Sequence, residues 1–77
     1  MTPTLLLEMC ISFSPGNDPA FKAIVHGFLE LPGTAQKDLA RDCKVAISTV
    51  SRWARGKSLP GPHVQGFVVR QVRTRLQ

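Results

Sequence analysis

Between positions 48 and 58 the chain reads STVSRWARGKS, its densest grouping of side chains able to do chemistry: the hydroxyls of Ser48 and Thr49, the guanidinium groups of Arg52 and Arg55, and the Lys57 ammonium. Two chemistries compete for this stretch. The triplet Gly56-Lys57-Ser58 matches the end of a loop that cradles a nucleotide's phosphates, but such a loop needs a further glycine five residues before Gly56, where Ser51 stands. It must also follow a strand, whereas Val50 and Trp53 recur at helical spacing. A helix over about 47–55 places Val50, Trp53 and Ala54 on one side and Ser48, Arg52 and Arg55 on the other. That polar side combines groups able to hydrogen-bond base edges with charge able to reach phosphates.

Size and charge weigh on the same choice. A chain of 77 residues with 43% apolar content has room for one small core and none for a sheet wrapped by helices, so a nucleotide-hydrolysing fold is not expected. The net charge of +5 is unevenly distributed. Residues 1–42 carry Lys22, Lys37 and Arg41 against five acids, Glu8, Asp18, Glu30, Asp38 and Asp42. Residues 43–77 carry seven cations and no acid. A one-sided basic surface favours a polyanion, because neutralising phosphates releases condensed counterions. For Arg70, Arg73 and Arg75 a solvated basic tail explains the charge equally well.

Other chemistries find little support. Cys10 and Cys43 have no Cys or His neighbour at metal-ligand spacing, so reduced, partly buried thiols of a cytoplasmic protein are expected, with no metal and no cofactor. His26 lies among Ala23, Ile24, Val25 and Phe28, and His63 follows a Pro-Gly-Pro turn; both read as structural. Asp38 and Asp42 share a solvated helix face rather than forming an acid–base dyad. No catalytic residue is expected, and the chain reads as a protein without enzymatic activity. The opening TLLLEMCISF lacks a basic start, contains Glu8 and is too short to span a bilayer, so no membrane association is expected.

The elements that position the 48–58 stretch are helices punctuated by turn residues, which predicts an all-α fold: a compact bundle of four to five short helices. Residues 1–17 form an apolar arm or a short helix opened by Thr2-Pro3, with Leu6, Met9, Cys10 and Phe13 on one face. After the SPGND loop, Asp18-Pro19 opens a helix whose apolar face is Phe21, Ile24, Val25, Phe28 and Leu29. Thr34 caps a helix from Ala35 to about Cys43 that buries Leu39, Ala40 and Cys43. Gly56 stops the helix over 47–55. A last helix over 62–76 is expected to turn Val64, Phe67, Val68, Val72 and Leu76 inward and Arg70, Arg73 and Arg75 outward.

Two short helices joined by a tight turn, the second polar and basic outside, describe a helix-turn-helix over about 35–56. The stretch QKDLARDCKVAISTVSRWARGKSLP resembles the helix-turn-helix of the lambda-repressor and Cro-like class, and the likeness runs from about Phe21 to Val72 within a domain spanning 18–77. Gln36 stands at the family's glutamine, Leu39-Ala40 at its Leu-Ala pair, Val45 and Val50 at buried aliphatic positions, Trp53 at a core position, and Arg55-Gly56-Lys57 with Pro60 at the exit. Three positions depart from the pattern: Lys44 where a glycine usually makes the turn, Ala46 where a Ser or Thr usually caps, and Ala54 where Glu is common. A left-handed Lys44 and the missing cap each cost roughly 1 kcal/mol.

The resemblance implies that Ile47, Ser48, Thr49 and Arg52 face the major groove of double-stranded DNA. Ile47 lies at the edge of the core face, so it either packs inside or touches a thymine methyl. Arg52 makes either a bidentate guanine contact, worth about 1–3 kcal/mol of discrimination, or a phosphate contact. Gln36, Arg55 and Lys57 suit the backbone. The expected function is that of a sequence-specific transcriptional regulator of the Cro type, a repressor acting as a homodimer, since one module buries only about 600–1,000 Å². An alternative of another class is an antitoxin or adaptor whose main role is to bind a partner protein through the N-terminal apolar segment. A third reading, the DNA-binding piece of a recombinase, suits the motif but leaves no room for a catalytic domain.

Overall fold

A computed structural model of the chain describes residues 2–33 and 36–77. Among the described residues five α-helices follow one another: α1 (Pro3–Ile11), α2 (Asp18–Leu29), α3 (Gln36–Cys43), α4 (Ile47–Arg55) and α5 (Pro62–Leu76). The fold is the expected all-α bundle, and among the described residues no helix is long and apolar enough to cross a membrane. The cap expected at Thr34 and the first helical position at Ala35 lie outside the described residues.

The N-terminal segment is a helix rather than an arm. Thr2 caps it, its Oγ1 accepting the Leu5 N–H at 3.1 Å, and Pro3 occupies the first turn, where its missing N–H costs nothing. Leu6 is fully buried and Cys10 nearly so, because α1 packs against α2 and α5. The apolar run therefore contributes to the common core, leaving Leu5 and Ile11 at the surface. The next helix, α2, is capped by Asn17 and buries Phe21, Ile24, Val25 and Phe28, the face its spacing predicts. It is the central element, in contact with α1, α4 and α5.

The last helix corrects the sequence reading. Val68 and Val72 are buried as expected, but Val64 and Phe67 are each 41% exposed, and Gln65 and Val69 take their places inside. The helix is rotated because Gln65 finds three partners in the interior. Its Nε2 donates to Asp18 Oδ1 at 2.7 Å and to the Pro60 carbonyl at 3.0 Å, while its Oε1 accepts the Gly16 N–H at 2.9 Å. A buried amide is tolerable only when its hydrogen-bonding capacity is met. One side chain thereby ties the loop before α2, the start of α2 and the loop before α5 to a single point.

Candidate nucleic-acid interface

The connection between α3 and α4 is three residues, Lys44, Val45 and Ala46. Lys44 adopts φ 59°, a left-handed conformation that closes the end of α3. The end of α3 is closed by two backbone bonds, Val45 N–H to Ala40 carbonyl at 3.0 Å and Lys44 N–H to Arg41 carbonyl at 3.1 Å, the paired closure of a Schellman motif. The same pattern ends α4. There Gly56 has φ 71°, the Lys57 N–H reaches the Arg52 carbonyl at 3.0 Å, and the Gly56 N–H reaches that of Trp53 at 3.1 Å. Gly56 thus terminates a helix, which removes the phosphate-loop geometry from this stretch.

Between the two closures, α4 is sided as its sequence predicts. Val50, Trp53 and Ala54 are buried against α2 and α3, with Trp53 set edge-on to Phe21 at a ring separation of 5.8 Å. Ser48, Arg52 and Arg55 are exposed, Thr49 is half-buried, and Lys57 projects just beyond the helix end. Ile47, whose place the sequence left open, is 52% exposed and belongs to the outer face. No side chain caps α4, since Ala46 offers none.

Gln36 is braced inside the motif. Its Nε2 donates to the Ile47 carbonyl at 3.0 Å, linking the start of α3 to the start of α4 and holding the side chain beside the outer face. Lys22 of α2 is a basic residue that sequence reasoning did not place here. A Cβ added at Gly56 would come within 3.1 Å of Lys22 Cδ and 3.3 Å of its Nζ, so the Lys22 stem lies across the end of α4. Its ammonium sits where the helix dipole favours a cation, next to Lys57 and Arg55 in the chain's path. No local periodicity signals this, because α2 and Gly56 meet only in the folded chain.

Three of the acids are paired with bases outside this group. Asp38 pairs with Arg41, Asp42 with Arg75, and Glu30 with His26 at 2.7 Å. Among the described residues no ion pair involves Lys22, Lys44, Arg52, Arg55 or Lys57. The Arg75 guanidinium hydrogen-bonded to Asp42 holds that carboxyl below the usual carboxylate range. Burial pushes the Cys43 thiol up to about 11, with Asp42 adding to the shift, and burial also raises Cys10. Neither thiol is therefore a ready nucleophile at neutral pH. Among the described residues no group of His, Cys, Asp and Glu converges as a metal site.

Compared with known proteins, the chain matches no family model, and no curated protein or solved structure is significantly similar to it. The case for function accordingly rests on the geometry of α3, α4 and the residues around them.

Proposed function

We propose that the chain is a sequence-specific binder of double-stranded DNA, a transcriptional regulator of the lambda-repressor and Cro-like class without catalytic activity. The carrying observation is the outer face of α4: Ile47, Ser48 and Arg52 exposed on a helix whose opposite side is locked into the core, with Arg55, Lys57 and Lys22 around its C-terminal end and, among the described residues, no acid paired to any of them. A helix held this way can enter the major groove, where Ser48 and Arg52 meet base edges and Ile47 meets a thymine methyl. Half-buried Thr49 contributes its hydroxyl at the margin of that face. Gln36, Arg55, Lys57 and Lys22 then contact the sugar–phosphate backbone and set the register.

A homodimer on two half-sites about 34 Å apart is the arrangement that gives so small a module enough affinity. The test is selection of bound duplexes from random DNA, followed by footprinting and mobility shift at physiological salt. A symmetric, enriched site is the expected result. Absence of any preference over bulk DNA would remove the proposal.

A further inference from the structure

A second surface lies on the side of α5 that meets α1. Two adjoining hollows, of about 500 and 250 Å³, share Pro15, Gly66 and Arg70 and run between the end of α1, the loop after it and the outer side of α5. We infer that this groove is a docking site for an acidic, apolar segment of a partner protein, separate from the outer face of α4.

Three observations carry the inference. Ile11 and Phe67 line the groove and are 58% and 41% exposed, apolar area that the fold itself leaves uncovered. Gly66 forms its floor in the interior of α5, where glycine costs about 0.5–1 kcal/mol relative to alanine. Internal packing does not require that glycine: a Cβ would lie 3.7 Å from Pro15 Cγ, an ordinary contact, and the backbone is helical. What the missing side chain does is keep the floor open. Finally, Arg70 and Arg73 form the wall, no acidic residue lines either hollow, and among the described residues neither arginine has an ion-pair partner.

Charge decides the occupant. A second copy meeting this patch about a two-fold axis would set the same surface against itself, and that surface has no acidic lining residue to offer Arg70 or Arg73. A phosphate backbone would satisfy the arginines and leave Ile11 and the floor uncovered. A helix or strand with apolar residues on one side and Asp or Glu at its margin satisfies both. Because α4 packs on α2 and α3 while the groove lies between α1 and α5, such a partner and DNA can be held at once.

The experiment uses the intact chain, isotopically labelled, titrated with a synthetic helical peptide bearing leucines on one face and glutamates beside them. A peptide with lysine in place of glutamate is the control. Expected are saturable shifts at Ile11, Gly66 and Phe67 amides, a loss of affinity of about tenfold or more in Arg70→Glu/Arg73→Glu, and a reversed preference of that variant for the lysine peptide. Gly66→Leu, which fills the floor, should abolish binding; if it does not fold by circular dichroism, the charge-reversed pair carries the test alone. Sequence preference on duplex DNA should be unchanged in folded variants, so failure here leaves the α4 reading standing, and the reverse. No saturable binding up to about 1 mM peptide would overturn the inference. So would indifference to both variants, a homodimer of the free chain that Gly66→Leu dissociates, or competition by nucleic acid for the same amides.

Discussion

The salt dependence of DNA binding separates the basic residues without knowledge of the operator. Around the end of α4, the cations Lys22, Arg55 and Lys57 are in no ion pair among the described residues. If each neutralises one phosphate, together they contribute a log-affinity versus log-salt slope of about −2.7 per module, a loss of about 40-fold between roughly 50 and 200 mM salt. Lys57→Ala should reduce the slope to about −1.8, and the loss over the same range to about 12-fold, on any duplex. Lys22→Ala should do the same, with a small fall in stability because its charge also faces the C-terminal end of α4. The contrasting set is Arg70, Arg73 and Arg75, carried by a helix packed on α1, α2 and α3, with Arg75 already paired to Asp42. Neutralising all three should change the slope less than Lys57→Ala alone. Fluorescence anisotropy with an unrelated duplex at four or more salt concentrations measures each slope. A triple variant flatter than Lys57→Ala would mean that α5 lies on the DNA and that the face assigned to α4 is wrong.

Arg52→Ala should relax preference at one base pair per half-site while only mildly weakening unrelated DNA; uniform weakening in a selection experiment would make Arg52 a phosphate contact. Trp53→Ala removes a side chain that is 4% exposed and packed on Phe21, and should cost about 3–5 kcal/mol, enough to leave much of so small a chain unfolded in a denaturant titration. Lys44→Gly relieves the φ of 59° and should stabilise by about 1 kcal/mol, a rise of roughly 4–8 °C in Tm; no rise would show that the left-handed turn is unstrained. Since the folded-state pKa of Asp42 is depressed by Arg75, its contribution is present above the unfolded carboxylate value of about 3.9 and is lost as pH falls through the folded value. The stability gap between the native chain and Asp42→Asn should accordingly be open at neutral pH and closed in strong acid, and a gap independent of pH would dissociate it from that carboxylate.

Much of this arrangement is legible without coordinates because its causes are local. The apolar spacing of Phe21, Ile24, Val25 and Phe28 determines the buried face of α2, and Gly56 determines where α4 ends, since a left-handed residue closes the helix there. Val50 and Trp53 against Ser48 and Arg52 orient α4 by the same rule, whatever it packs on. Other features exist only once distant segments meet. Two overlapping apolar arcs run along α5, one through Val64 and Phe67 and one through Val69, sharing Val68 and Val72, and hydrophobicity does not choose between them. Tertiary structure chose, because Gln65 bonds to Gly16, Asp18 and Pro60, the first two nearly fifty positions away, and a buried amide is stable only where such partners converge. That rotation put Phe67 at the surface and Gly66 on the groove floor. The placement of Lys22 across Gly56 has the same origin: helical periodicity reports which side of α2 is buried, and only the packing of α2 on α4 decides which charge lies beside the end of its neighbour.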